Sequence, residues 1–270
     1  MGSVLLNLAS VTRVEGRLEE ARSMVARARA IFEKARGPNH LTVVFTLVEQ
    51  ARISSDAGQG DEALALATEA LERIQRSQGP DTPRAVLPLT TRGLVHLRAG
   101  RHVQARSDLL DALKRLEKEH GPEGGDTVSA LLPLAELALA TRAPKEALAY
   151  CERARGVTEK VQGPESPEAA SALACSGKAH LALGAADEAL PLLEGARRIQ
   201  TRWGEPGDKE AAGTTAFLLA RALLETRTSP DRARALAMAE EARTRLEAVG
   251  VRGRTELQKV LAWQRREGMR

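Results

Sequence analysis

The sequence predicts an all-α fold: a right-handed superhelical solenoid of antiparallel helix hairpins. A 42-residue period runs through most of the 270 residues, and a repeat of that length has room for two helices and two turns. Aromatic residues make up 2% of the chain while hydrophobic residues reach 43%, and a core of Ala, Leu and Val suits closely packed helices. The sequence lacks any useful run of alternating apolar and polar residues, so we expect no sheet.

Two series of turn residues divide the chain into helices. Each Gly-Pro pair ends a helix, because proline lacks a backbone N–H and clashes with the preceding turn. A second glycine series lies between the pairs, with Arg142 at the one position where glycine is replaced. Glycine after the last helical residue predicts a left-handed cap. The pairs are Gly37-Pro38, Gly79-Pro80, Gly121-Pro122 and Gly163-Pro164, with Pro206 one period later, and the second series is Gly16, Gly58, Gly100 and Gly184.

Small residues recur where neighbouring helices would cross. The first helix of each repeat, helix A, has Ala or Gly at one fixed position, and the second, helix B, has two alanines seven residues apart. Helices whose axes lie about 8–10 Å apart need small side chains where their ridges cross, so these positions predict close packing. The helix A series is Ala9, Ala51, Gly93, Ala135 and Gly177; the helix B series are Ala21, Ala63, Ala105, Ala147, Ala189 and Ala28, Ala70, Ala112, Ala154, Ala196.

The repeats define the predicted domains. We expect about six hairpins over residues 1–250, the first one truncated, followed by a capping helix within residues 251–270. A polar outer face is what a helical array needs at its end, and the last segment has Leu257, Val260 and Leu261 at helical spacing on its inner face. Pro88 and Pro133, early in their helices, predict slight bends or late helix starts.

The start of the chain falls inside the first helix A, because Leu5 aligns with Leu47 one period later. The first hairpin is therefore predicted to expose an apolar face, which is typical of an interaction site. Three explanations stay open: the chain is part of a longer protein, a partner caps the first hairpin, or Met1 is placed too late.

The arrangement Gly16-Arg-Leu-Glu-Glu-Ala21, repeated as Gly184-Ala-Ala-Asp-Glu-Ala189, resembles the tetratricopeptide repeat. The Gly-Pro-x-x-Pro segment, as in Gly79-Pro-Asp-Thr-Pro83, is similar to the 42-residue variant found in kinesin light chains and many bacterial proteins. Kinesin light chains carry an Asn pair in helix A, whereas this chain has residues such as Val48-Glu49 there. The resemblance therefore implies the fold, but not the kinesin mode of ligand binding. The last unit and the final helix also resemble the C-terminal tails of bacterial serine/threonine protein kinases.

Catalytic motifs are missing from the sequence. It contains no phosphate-binding loop of the form Gly-x-x-x-x-Gly-Lys-Ser/Thr, no Gly-x-Gly-x-x-Gly opening a helix, and no kinase motif. The five histidines form no pair at metal-ligand spacing. We therefore expect no enzyme, no cofactor and no metal site. Cys151 and Cys175 lie on helices that should pack together, and we expect them to be buried small hydrophobes rather than a redox pair.

Charge and hydropathy indicate a cytoplasmic protein that has no membrane partner, and they make a nucleic-acid partner the weaker alternative. No run approaches 18 apolar residues, and the N-terminus has no basic segment typical of a signal peptide. The net charge is +4. The C-terminus is basic, but Glu256 and Glu267 interrupt it, and the stacking aromatics of single-strand binders are missing. RNA binding is the weaker alternative to a solvated helix face. The basic residues are Arg252, Arg254, Lys259, Arg265, Arg266 and Arg270.

The resemblance implies that the A helices line a concave binding groove. The row one residue past the small position, and the row four residues beyond it, carry side chains of both charges as well as apolar ones. This mixture favours a ligand with polar and apolar contacts over a simple carboxylate clamp. We therefore predict a non-catalytic protein–protein interaction scaffold that binds a peptide or partner protein. The alternative is the detached regulatory or docking region of a bacterial serine/threonine kinase. The predicted groove residues are Phe45, Arg52, Asp56, Leu94, Arg98, Glu136, Lys178 and Arg221.

Overall fold

The computed structural model describes residues 1–38, 40–203, 208–227 and 230–268. Over these ranges the chain forms thirteen α-helices and two short 3-10 helices, and no strand. The predicted turn residue Pro206 and the basic residue Arg270 lie outside the described residues. The helices are α1 Gly2–Val14, α2 Leu18–Arg36, α3 Leu41–Asp56, α4 Gly60–Gln78, α5 Val86–Arg98, α6 His102–His120, α7 Val128–Ala140, α8 Pro144–Gln162, α9 Pro167–Ala182, α10 Ala186–Trp203, α11 Lys209–Glu225, α12 Arg232–Ala248 and α13 Arg254–Arg266.

The helices form successive hairpins within two compact units, Met1–Pro133 and Leu134–Arg270. In the first unit α1 packs on α2, α3 on α4 and α5 on α6, and the B helices α2 and α4 also contact the next A helix. In the second unit α9 packs on α10 and α11 on α12, while α8 contacts α9 and α10 contacts α11. This nearest-neighbour packing confirms the predicted all-α array of hairpins.

The predicted glycine caps are present. The glycines of both series have φ between 70° and 90° in the structure, the left-handed region that side chains with a Cβ rarely adopt. Arg142, at the position without glycine, takes the same conformation with φ 58°. The helices α1 to α9 are thus each followed by a residue in the left-handed conformation, whether that residue is glycine or Arg142.

Both alanine series of the B helices are completely buried. The small position of helix A lies directly against helix B: a Cβ added to Gly93 would come 2.8 Å from Leu109 Cγ, and one on Gly177 would come 2.6 Å from Leu193 Cγ. No real Cβ contact is that short, so these helices approach as closely as only glycine allows. The predicted close packing is therefore confirmed.

The expected late helix starts are also found. In the helix A that contains Pro88, residues Pro83–Ala85 form a 3-10 helix and the α-helix begins only at Val86. In the one that contains Pro133, a 3-10 helix at Gly125–Thr127 precedes Val128. The helices α3 and α9, by contrast, begin directly at Leu41 and Pro167.

The final helix α13 packs on α12 in the second unit. Val260 and Trp263 are buried against Ala239, Ala242 and Leu246. The Trp263 ring meets Phe217 of α11 edge to face, with ring centroids 5.8 Å apart. Residues 257–263 therefore present an apolar face to the array, and Gln258 and Lys259 on the other side are exposed.

The expectation that the two cysteines are independent small hydrophobes is wrong. Cys151 of α8 and Cys175 of α9 form a disulfide, with their Cα atoms 5.5 Å apart. Cys151 is completely buried beside Ala135 and Ala147, where α8 contacts α9. The repeat brings the two side chains together because a B helix and the following A helix pack directly.

Candidate functional site

Charged side chains from three consecutive A helices join into one cluster in the first unit, here called the arginine cluster: Arg13, Glu49, Arg52, Asp56 and Arg98. Arg13 of α1 donates from Nε to Glu49 Oε1 (2.8 Å) and from Nη1 to Asp56 Oδ2 (2.5 Å). From the opposite side, Arg98 of α5 donates to Asp56 Oδ1 (2.7 Å). The carboxylate of Asp56 therefore ties α3 to both neighbouring A helices.

The repeat period explains this arrangement. Asp56 lies 43 residues after Arg13 and 42 residues before Arg98. Residues one period apart occupy equivalent points on adjacent A helices, so they face each other along the array. The charged row of the sequence becomes a chain of alternating cations and anions in space.

Burial and charge act in opposite directions on this cluster. Asp56 is 6% exposed, and burial by itself favours its neutral form. The guanidinium groups of Arg98 and Arg13 outweigh burial and lower the pKa of Asp56. Burial likewise opposes the charge of Arg13, but Glu49 and Asp56 outweigh it and raise the pKa of Arg13. Within the cluster, Arg13 and Asp56 therefore favour their charged forms and pair with each other.

Arg52 is the member of the arginine cluster with the weakest pairing geometry. Its Nη1 lies 3.6 Å from Glu49 Oε2, and its side chain is 34% exposed. Burial, together with the nearby charge of Arg13, lowers the pKa of Arg52. Three guanidinium groups face two carboxylates in the cluster, which leaves one positive charge in excess. An incoming carboxylate would balance that charge and find a partly exposed, bidentate donor.

Apolar predicted residues flank the arginine cluster. Phe45 lies one helical turn before Glu49 on α3, and Leu94 one turn before Arg98 on α5, so each shares a helix face with a charged member. Both side chains are half-buried. The A-helix face of the first unit therefore presents apolar surface beside an under-compensated guanidinium.

The predicted residues of the second unit form simpler pairs. Lys178 Nζ of α9 lies 3.4 Å from Glu136 Oε1 of α7, again one period away. Arg221 pairs with Glu225 within α11, at 3.1 Å. The side chains of these four residues are 30% to 56% exposed, and exposed pairs of this kind are weak. They provide polar contacts but no buried electrostatic centre.

Sequence reasoning missed Arg13 and did not place Glu49 in the groove. Arg13 is one residue out of the predicted row, which contains Val14 at that point. Its distance of 43 residues from Asp56 was a detectable signal. A long arginine side chain can contact a residue that is one position away from the exact 42-residue spacing. A row of residues defined only by that spacing therefore omits Arg13.

One basic residue of the C-terminus, Arg252, is less solvated than predicted, whereas Arg254, Lys259, Arg265 and Arg266 are exposed. Arg252 is only 9% exposed, and it pairs with Asp208 and Glu210 at 2.9 Å each. Lys259 pairs with Glu256 and Arg266 with Glu267.

In the part of the chain that the structure describes, no group of three or more His, Cys, Asp or Glu side chains is placed to hold a metal ion. Among the same residues, no helix is long and apolar enough to cross a membrane.

Solved structures with the same architecture cover most of the chain. BtubC (BKLC) from P. vanneervenii matches with a TM-score of 0.66 and 21% identity, over 87% of this chain and 91% of that one. A putative kinesin light chain with nearly identical TPR-like repeats, from Podosopora anserina, matches with a TM-score of 0.55 and 21% identity, over 75% and 96%. A Rap protein complexed with competence and sporulation factor matches with a TM-score of 0.68 and 14% identity, over 97% and 72%. At these identities the likeness concerns the fold.

Comparison with curated proteins finds none that matches this sequence. Family models are more informative. One model described as tetratricopeptide repeat matches residues 45–118 and 126–202, and a second with the same description matches residues 2–42. The matched segments coincide with the hairpins and cover more than half of the chain, so the chain belongs to the tetratricopeptide repeat family.

Proposed function

We propose that the protein is a non-catalytic interaction scaffold and that the A-helix face of its first unit binds a peptide or a segment of a partner protein. The observation that supports this is the arginine cluster, with its excess positive charge and the partly exposed Arg52. The bound segment carries a carboxylate side chain for Arg52 and an apolar side chain beside it for the surface at Phe45 and Leu94.

Structural relatives support the general role. Two Rap proteins with this fold are described as complexes with competence and sporulation factor and with the Phr* peptide. Both match over 97% of this chain, but at 14% identity, so they support a peptide-binding fold and not a particular ligand. The ligand chemistry proposed here rests on the arginine cluster.

The second unit carries polar predicted residues of its own, the pair Glu136–Lys178 and Arg221. We assign them a secondary role, because exposed ion pairs contribute little free energy and their groups can be hydrated instead. They contribute to selectivity among ligands, whereas Arg52 contributes to affinity.

The experiment is a peptide array in which each acidic position is also presented as its amide, probed with the whole protein. We expect binding to segments that pair Asp or Glu with an adjacent apolar residue, and loss of binding when the acid becomes Asn or Gln. Arg52→Glu should abolish this selectivity. Arg76→Glu is the matched control, because Arg76 lies on the B helix α4 with its side chain 73% exposed. Equal binding by both variants would refute the assignment of the groove.

A second candidate keeps the scaffold but makes it the docking region of a serine/threonine kinase. It rests on the resemblance of the last unit and the final helix to such tails. Genomic sequence upstream of Met1 tests it directly. An in-frame catalytic domain would support this role, and an unrelated reading frame there would rule it out.

The proposed location is the cytoplasm, on the sequence features given above. The Cys151–Cys175 disulfide argues against this location, because stable disulfides are uncommon in the cytoplasm. Cell fractionation followed by alkylation of free thiols tests both points. Recovery of an oxidised protein outside the cytoplasm would overturn the proposed location.

A further inference from the structure

A cavity of about 320 Å³ lies within the second unit, between the hairpin α9–α10 and the hairpin α11–α12. All four helices contribute to its wall, among others through Pro167 of α9, Arg197 of α10, Ala211 of α11 and Arg245 of α12. A volume of this size lies at the lower end of the range for small-molecule sites. The cavity shares no residue with the predicted groove or with the arginine cluster.

The repeat changes from apolar to polar at this cavity. The A helices α3, α5, α7 and α9 carry leucine at one position of the repeat, where α11 carries Thr215. At the facing position of the B helices, α4 and α6 bury Ile74 and Leu116, α8 has Thr158 and α10 has Gln200. Gln200 Nε2 donates to Thr215 Oγ1 at 3.1 Å. The junction of α10 and α11 is therefore polar at both positions, and the side chains that fill the earlier junctions are replaced.

Two guanidinium groups hold one carboxylate at the cavity. Glu241 accepts from Arg197 Nη2 at 2.8 Å and from Arg245 Nε at 3.0 Å. These arginines outweigh the effect of burial and lower the pKa of Glu241. The other carboxylate of the wall, Asp208, caps the N-terminus of α11 and accepts from Arg252 at 2.9 Å. Both carboxylates are thus engaged by groups of the protein itself.

Arg197 has unused hydrogen-bond donors. A guanidinium has five N–H donors, and Nη2 of Arg197 meets Glu241. Its Nε is buried without a hydrogen-bond partner, and its Nη1 makes no hydrogen bond to the residues that the structure describes. Lys209 adds a further positive charge to the wall. Three cationic side chains therefore stand against two carboxylates among the described residues of the cavity.

Trp203, at the end of α10, supplies an aromatic surface to the cavity. The residue is 62% exposed. Its Nε1 donates to the backbone oxygen of Glu165 at 2.8 Å, which fixes the orientation of the ring. A fixed and exposed aromatic ring is a surface on which a planar apolar group stacks.

We propose that this cavity binds a small aromatic acid, whose carboxylate meets the guanidinium of Arg197 and whose ring lies against Trp203. The acid follows from the excess of positive charge and from the unused donors of Arg197, since a guanidinium binds a carboxylate through charge-assisted hydrogen bonds. The aromatic part follows from Trp203. This inference is independent of the ligand proposed for the arginine cluster, which belongs to the first unit.

The test is isothermal titration calorimetry of the whole protein with three probes: naphthalene-2-carboxylate, its neutral analogue naphthalene-2-methanol, and acetate. We expect saturable binding of naphthalene-2-carboxylate, with a Kd at least about tenfold higher for each of the other two, because each lacks one of the two interactions. Arg197→Gln and Trp203→Ala should each raise the Kd of naphthalene-2-carboxylate by about tenfold. Arg243→Gln is the matched control and should bind like wild type, because Arg243 pairs with Glu240 and Glu247 within α12 and does not line the cavity.

Three outcomes would overturn the proposal. The first is the absence of saturable binding of naphthalene-2-carboxylate. The second is equal affinity for naphthalene-2-methanol, which would mean that the charge of the cavity has no role. The third is an unchanged Kd in either Arg197→Gln or Trp203→Ala. Circular dichroism confirms that the variants fold, and retention of Arg52-dependent peptide binding by Arg197→Gln separates this cavity from the groove.

Discussion

Leu193 of α10 occupies the space that the missing side chain of Gly177 leaves on α9. A Cβ added to Gly177 would lie 2.6 Å from Leu193 Cγ and 2.7 Å from its Cδ2. The same pairing occurs two hairpins earlier in the chain, between Gly93 and Leu109. Where helix A carries alanine instead, the B-helix partner is smaller, as in Ala135 with Cys151 and Ala9 with Val25. In these hairpins the B-helix residue is leucine where helix A has glycine and is smaller where helix A has alanine.

Gly177→Ala is therefore expected to destabilise the protein, because an overpacked core site costs about 1–3 kcal/mol. Adding Leu193→Val, which imitates the natural pair of Ala9 and Val25, should recover part of the loss. The matched control is Gly156→Ala in α8, where an added Cβ meets no atom within 4 Å; it should stabilise by up to about 1 kcal/mol, since alanine is the better helix former. Urea unfolding midpoints measure all three, and equal effects of the two single variants would contradict the crossing-point argument.

The fold was predictable because the repeat imposes the same local choices five times. The cap glycines, such as Gly16 and Gly58, allow the left-handed backbone that ends a helix. The buried alanines, such as Ala21 and Ala63, allow the helices to pack closely. Because each residue type recurs at the same position of every repeat, its presence there is not a coincidence. Even the substitution by Arg142 left the backbone conformation unchanged.

The candidate site was only partly predictable. Asp56 and Arg98 were found because they stand one period apart. The ion pair between Asp56 and Arg13 depends on the reach of the arginine side chain, which the register does not describe. The disulfide was missed for a related reason. Cys151 and Cys175 occupy different positions of the repeat and are not aligned by its period, so only the packing of α8 on α9 brings them together.

Asp56→Asn should destabilise the first unit. The change keeps the shape of the side chain but leaves Arg13 and Arg98 without the carboxylate that joins them. Breaking a buried ion pair costs about 3–5 kcal/mol, and the 52% exposure of the Arg98 side chain reduces this, so we expect about 2 kcal/mol. Asp61→Asn is the control, because that side chain is fully exposed near Arg101. A similar loss from both variants in urea unfolding would contradict the role of Asp56.

The stability of the protein should depend on pH through the same residue. The pKa of Asp56 is lowered in the folded state, where Arg98 and Arg13 outweigh burial, whereas in the unfolded chain it is about 3.9. The unfolded state therefore binds a proton first as the pH falls, so this contribution is complete above pH of about 4 and is lost below it. The difference in free energy of unfolding between wild type and Asp56→Asn, measured at pH 6 and in steps towards pH 3, should shrink. A constant difference would show that Asp56 does not have a lowered pKa.

Reduction of the disulfide should lower stability without unfolding the array. Cys151 and Cys175 are 24 residues apart, and closing a loop of that size in the unfolded chain is worth about 3 kcal/mol. Dithiothreitol should shift the urea midpoint of wild type downwards. Cys175→Ser should begin at the lower midpoint and show no response to the reductant. A shift of equal size in that variant would mean that the effect of the reductant does not pass through this bond.

Arg142→Gly should make the protein more stable. Arg142 adopts φ 58° at the end of α7, where the other repeats have glycine, and the left-handed conformation costs a residue with a Cβ about 1–2 kcal/mol. Glycine removes that strain but adds entropy to the unfolded chain, so we expect a net gain of about 0.5–1 kcal/mol. The converse change, Gly184→Ala at φ 73°, should cost a similar amount, although an added Cβ there meets no neighbouring atom. Thermal unfolding of the two variants measures both effects. A higher unfolding temperature for Arg142→Gly and a lower one for Gly184→Ala would identify the backbone conformation as the cause. A lower unfolding temperature for both variants would show that Arg142 makes a stabilising contact that outweighs its strain.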